Sequence, residues 1–213
     1  LAIVRSSNSY FVQVGMLPNV FDHVVELGRR LHLGERIGLP LLQEAAGHFP
    51  RAGRERDWNP IYKANICIGQ GEMDVTPLQM AVMTCALANG GKVLWPRLVD
   101  RREASDLAGI EAPAIYEKGR VRDTLGVSQQ SLKILHKAML AETEDDEGTG
   151  RKVQESGFRV CGKTGTAERT EQGDKQNTTW FISFAPYEKP RFAVVVMVEN
   201  GVSGGGTCAP IAK

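Results

Sequence analysis

The sequence predicts an α+β fold in which an antiparallel sheet is flanked by helices on both faces. The sheet rests on residues 158–161, 179–184 and 192–198, all rich in β-branched or aromatic side chains. The last two runs are joined by a short connection containing Pro186 and Pro190, the mark of an antiparallel hairpin. The run F-A-V-V-V-M-V is apolar nearly throughout, which calls for cover on both faces of the sheet. Helices with recognisable start and stop signals precede these strands and supply that cover.

Taken in order, the chain opens on a polar stretch, Arg5, Ser6, Ser7, Asn8 and Ser9. Residues 19–31 place Phe21, Val24, Val25 and Leu31 at helical spacing behind Asn19 as the cap. Residues 34–56 mix glycine, proline and charge with weak periodicity, and read as an irregular excursion of the kind that lines a site. Thr76 and Pro77 form a cap followed by proline at the first helical position, and the helix runs through Ala81, Val82, Cys85 and Ala88 to a stop at Asn89-Gly90-Gly91. Residues 92–127 carry no pattern that assigns them. Ser128 caps a further helix whose Leu132, Leu135, Met139 and Leu140 form one stripe. The acidic residues 142–147 then lead into Gly148-Thr149-Gly150.

At 42% hydrophobic and 24% charged residues, disordered and collagen-like classes are excluded. Lys and Arg number 26 against 25 Asp and Glu, so nothing global points to a nucleic-acid or anionic-membrane partner. The apolar runs fall far short of the roughly 18 residues that span a bilayer. Cys67, Cys85, Cys161 and Cys208 show no C-x-x-C and no histidine at metal spacing, so no metal site is expected. Their apolar or small neighbours are those of buried free thiols. His23, His32 and His136 fall in the helical segments and His48 in the irregular stretch, none in a recognisable triad. Trp58 reads as a packing residue, and Asp74 as a charge at a helix start. A start without Met and an end at a nascent helix suggest a piece of a longer protein.

Residues 157–164 match G-x-x-x-x-G-K-[ST], the phosphate-cradling loop of nucleotide hydrolases. Such a loop needs a helix opening at Lys-Thr, so that its amides and dipole face phosphate. Here the interior of the motif is itself strand-like, and residues 165–174 have no apolar periodicity from which to build a buried helix. The competing reading puts Lys163, Thr164, Gly165 and Thr166 at the end of an exposed edge strand beside a cleft. There lysine supplies fixed positive charge, threonine hydroxyls grip a carboxylate, and glycine lets a substrate lie along the strand. Taken alone, K-T-G-T would equally suit a solvated turn.

The motif has company. Ser6-Ser7-Asn8 forms an S-x-N element, followed by G-L-P near residue 40 and then I-G-Q-G-E-M-D-V-T-P-L-Q-M-A at residues 68–81. After these come A-N-G-G, G-K-T-G-T-A, W-F-I-S-F-A-P and V-V-M-V-E-N-G. In that order they resemble the transpeptidase domain of class B penicillin-binding proteins, of the cell-elongation type, across essentially the whole length. The resemblance implies the β-lactamase/transpeptidase-like fold and a serine in S-x-x-K that attacks the D-Ala-D-Ala carbonyl of a peptidoglycan stem peptide, or a β-lactam imitating it. It implies that Ser6 relays a proton to the leaving nitrogen, that Asn8 orients the acyl substrate, and that Lys163 anchors the relay and the substrate carboxylate. By the same resemblance Thr164 and Thr166 grip that carboxylate beside Gly165, and the Thr166 N–H is an oxyanion-hole donor. It further implies no cofactor, no metal and no nucleic-acid partner, and a place outside the cytoplasmic membrane.

One departure stands out. None of the nine serines has lysine three residues later, so the nucleophile and its partner lysine are not in this chain. They are expected upstream, with the preceding strands and a membrane anchor, leaving three of the family's five strands here and needing that segment to complete the fold. A β-lactam sensor and the nucleotide hydrolase are the rival functions.

Overall fold

The computed structural model describes residues 1–39, 43–51, 53, 58–103, 114–154, 157–171 and 174–213. In chain order these form α1 (Asn8–Gly15), α2 (Val20–Arg30), α3 (Pro60–Cys67), α4 (Pro77–Ala88), β1 (Lys92–Leu94), β2 (Arg101–Arg102), β3 (Ala114–Ile115) and β4 (Val121–Thr124). There follow α5 (Gln129–Glu144), β5 (Cys161–Glu171), β6 (Asp174–Ala185) and β7 (Phe192–Glu199), a π-turn (Gly204–Cys208) and α6 (Ala209–Ile211). Among the described residues no helix is long and apolar enough to cross a membrane.

The sheet is antiparallel in the order β5-β6-β7, so the α+β reading holds. Alternation along β6 sends Phe184 to a cluster with Met139, Leu140 and Cys161 beneath α5. The opposite face sends Phe181 to Val153, Cys208 and Ala209 beneath the π-turn and α6. Helical structure therefore covers both faces, although the cover of β7 is partial: Phe192 is 60% exposed and Val194 39%. A third cluster (Leu31, Ile37, Val82, Ala86, Val93, Leu125, Leu132) joins α2, α4, α5 and the β1–β4 pair. Trp58 packs edge-on against Phe21 in a fourth, at 5.1 Å between centroids.

Local signals explain the helix starts. Thr76 and Gln79 form a reciprocal capping box with Pro77 in the first turn, and Ser128 caps α5. Gln79 is also fully buried, and its amide donates to the carbonyls of Glu35 (2.9 Å) and Ala46 (2.8 Å), pinning the irregular excursion against α4. Among the described residues of that excursion, the strand pairing is an isolated bridge, His48 to Asp74; part of the segment lies outside the described residues.

Several expectations need correction. Asn19 precedes α2 in the left-handed region (φ 64°) and makes no side-chain cap, and His32 (φ 56°) lies just beyond that helix. The helices α1 and α3 were not read from the sequence, although Ser7 and Asn59 cap them. Cys161 and Cys208 are buried, but Cys67 is only partly so and Cys85 is exposed; all four are free. The strand expected at 158–161 begins at Cys161 and runs on to Glu171, so Lys163 to Thr166 lie within it rather than at its end. Residues 168–171 pair with the part of β6 that precedes its pairing with β7, which starts at Thr178, and this two-stranded ribbon needs no apolar face. The phosphate-loop reading falls with the same finding, because Lys163 and Thr164 are in a strand and open no helix.

Candidate active site

At the start of the chain the backbone turns sharply. Ser6 sits in the left-handed region (φ 50°), Ser7 caps α1, and Asn8 is that helix's first residue. The turn brings Ser6 and Asn8 to one cleft of about 400 Å³ together with Lys163, Thr164, Gly165 and Thr166 from β5. Every residue singled out as catalytic or substrate-binding therefore lines a single concavity. Its apolar wall is built from Leu87, Leu135, Met139 and Ile182 of α4, α5 and β6. A larger hollow of about 650 Å³ beside α2, lined by Glu26, Arg29 and Trp58, holds none of them.

Lys163 is the hub. Its ammonium lies within hydrogen-bond reach of Ser6 Oγ at 2.9 Å, the Thr164 carbonyl at 3.0 Å, Glu142 Oε1 at 3.2 Å and the Thr164 hydroxyl at 3.3 Å, so its three protons are all engaged. Because lysine only donates, Ser6 must be the acceptor in that pair, which leaves the serine's own proton free to be delivered elsewhere. Asn8 is exposed at the mouth.

Along β5 the even-numbered residues turn their backbone groups away from β6. The Thr164 N–H reaches Glu142 Oε1 at 3.0 Å, and the Thr166 carbonyl accepts from Gln70 Nε2 at 3.3 Å. An antiparallel residue directs its N–H and C=O to the same side, so the Thr166 N–H faces the cleft as well. The Thr166 hydroxyl accepts the Gly204 N–H at 3.3 Å and keeps its own proton to give. The Thr164 hydroxyl instead sits 2.9 Å from Glu142 Oε1 and 2.6 Å from Thr149 Oγ1, turned toward the interior.

Glu142, hydrogen-bonded to both Lys163 and Thr164, is the side chain at this site that sequence reasoning passed over. It reads as one of an acidic run, yet it is fully buried in the last turn of α5. The only signal was position: it falls three residues after Met139, on the apolar stripe.

The penicillin-binding protein transpeptidase domain matches residues 1–213. The chain belongs to that family. It is 30% identical to the peptidoglycan D,D-transpeptidase MrdA of Haemophilus influenzae, covering all of this chain and 34% of the relative. The PbpA transpeptidase of Mycolicibacterium smegmatis is 35% identical, again over the whole chain and 42% of the relative. The chain thus spans well under half the length of these curated relatives. Among solved structures it resembles penicillin-binding protein 2 of Pseudomonas aeruginosa in complex with WCK 5153 (TM-score 0.78, 31% identity, 99% of this chain and 46% of the other). It also resembles penicillin-binding protein 3 of Mycobacterium tuberculosis complexed with aztreonam (TM-score 0.81, 27% identity, 99% and 48%). The transpeptidase fold expected from the S-x-N and K-T-G-T order is the family's, and the elongation-type resemblance agrees with the MrdA and PbpA relatives.

Proposed function

We propose that this chain is the substrate-gripping part of a peptidoglycan D,D-transpeptidase whose S-x-x-K serine lies in sequence preceding Leu1. The observation that supports this best is the 2.9 Å contact between Lys163 and Ser6, which joins the two motifs across 157 residues of chain. In the reaction the upstream serine gives its proton to the partner lysine of S-x-x-K, attacks the D-Ala-D-Ala carbonyl and forms an ester as the C–N bond breaks; the terminal D-Ala leaves as its amine, and that lysine's proton restores the one Ser6 spends. Ser6, fixed by Lys163, passes its proton to the leaving nitrogen. The Thr166 N–H stabilises the oxyanion, a contribution of about 3 kcal/mol for such a donor. Lys163 and the Thr166 hydroxyl hold the terminal carboxylate, while Gly165 leaves room for the stem peptide beside the strand. Thr164 must turn away from Glu142 before it can join them. Asn8 orients the acyl substrate from the cleft mouth. The ligands are stem peptides and β-lactams, and the setting is the outer face of the cytoplasmic membrane.

The test compares this chain with the full-length parent by intact mass after incubation with a penicillin. The parent gains one acyl group on the upstream serine and the 213-residue chain gains none. Lys163→Ala in the parent slows acylation about 100-fold or more. An adduct on any of the nine serines here, or normal acylation by Lys163→Ala, refutes the assignment. Cross-linking of an acceptor stem peptide distinguishes a transpeptidase from a β-lactam sensor.

A further inference from the structure

Glu142 Oε1 gathers four donors: the Thr149 hydroxyl (2.6 Å), the Thr164 hydroxyl (2.9 Å), the Thr164 N–H (3.0 Å) and the Lys163 ammonium (3.2 Å). Its other oxygen, Oε2, is buried with no partner and abuts Gly150, where a Cβ would come within 2.5 Å. The side chain is fully buried while its lysine partner is 24% exposed. Burying a carboxylate is costly even when it is paired, and the C-terminal end of a helix, where Glu142 sits, is the end that disfavours negative charge. Fold stability alone gives no reason for an acid at this point. Geometry does, because the carboxylate's hydrogen bonds converge on Lys163, Thr164 and the hydroxyl that touches Thr164.

We propose that Glu142 is a positioning residue for acylation, acting through Lys163. Glu142 on one side and the Thr164 carbonyl and hydroxyl on the other tether the ammonium, and in that position its shortest contact, 2.9 Å, is made to Ser6. The same carboxylate holds the Thr164 N–H, and so fixes the height of β5 against α5. Without it the lysine is a flexible cation in a partly open cleft, and loses its aim at Ser6 rather than its charge. This inference rests on the role proposed above for Lys163.

The experiment is a double-mutant cycle in the full-length parent, reading the second-order rate of acylation by a penicillin alongside the thermal midpoint. Glu142→Gln keeps the shape and removes the charge. The expected result is a loss of about tenfold or more in the Lys163 background and no further loss in Lys163→Ala, because the effect travels through that side chain. Thr149→Val, which removes one donor and leaves the carboxylate in place, follows the same non-additive pattern with a smaller loss, and carries the test if Glu142→Gln does not fold. Losses that add in the double variant show that Glu142 serves the fold alone, and overturn the inference while leaving the role of Lys163 standing. Normal acylation by Lys163→Ala overturns both.

Discussion

Gly162 immediately precedes the lysine hub, and replacing it with alanine tests how tightly β5 is seated. A Cβ there would lie 2.4 Å from Phe181 Cζ, 2.8 Å from its Cε2 and 3.0 Å from Thr143 Cγ2. None of these can retreat freely. Phe181 is fully buried among Val153, Cys208 and Ala209, and Thr143 is 1% exposed with its hydroxyl on the carbonyls of Leu140 and Val160. Overpacking of this kind costs about 1–3 kcal/mol. The backbone at Gly162 is not left-handed, so alanine brings no dihedral strain and returns about 0.5–1 kcal/mol of strand preference over glycine. The net is a destabilisation of about 1–2 kcal/mol, or a fall of about 2–8 °C in Tm for a domain of this size. Thermal unfolding of the folded protein measures it. Adding Phe181→Leu, which shortens the ring that is struck, should recover part of the loss. A Gly162→Ala protein as stable as the parent, or more so, would show that the β5–β6 packing is not as described.

Two further outcomes follow from the same packing. The Cys161 thiol is pushed up to about 12 by burial, with the nearby Glu144 charge adding to the effect, and its S–H points at the His136 carbonyl (3.5 Å). It should therefore resist iodoacetamide in the native protein up to pH 9 and react once unfolded; native labelling of Cys161 by peptide mapping would contradict its burial. Mg-ATP and Mg-GTP should give no calorimetric binding at residues 157–164, since β5 offers no helix N-terminus to phosphate; micromolar binding lost in Lys163→Ala would reverse that conclusion.

What could be read from the sequence divides along the range of the forces involved. The cap at Thr76 with its proline, the Asn89-Gly90-Gly91 stop and the Ser128 cap are decided within a few residues, and they fell where expected. The helices α1 and α3 carry the same kind of signal at Ser7 and at Asn59-Pro60, but each has eight residues and buries only one of them, too little pattern to read. The polar ribbon of β5 and β6 is held by pairing between strands, which single-strand periodicity does not register. The meeting of Ser6 with Lys163 came through the family likeness, since no local rule joins residues 157 apart. The burial of Glu142 is a property of α5 packed against β5, and an acidic run in a sequence does not show which of its members turns inward.

The sheet is unevenly stiff along the strand that lines the cleft. From Cys161 to Ala167, β5 faces a length of β6 that β7 braces from the other side, whereas from Glu168 to Glu171 it has β6 alone. Two-stranded ribbons twist more than wider sheets and are marginal by themselves. The strand is thus a cantilever clamped at the chemical end and compliant at its tip. On the role proposed for Lys163, the braced length of β5 carries the group that anchors the substrate, and the outer length, with a neighbour on one side and, among the described residues, no strand beyond it, is the less constrained part of the strand edge. Such a gradient suits a chemistry that treats the terminus of its substrate strictly and the remainder with tolerance, and it places sequence changes that loosen or tighten the grip beyond Ala167, where they leave the lysine undisturbed.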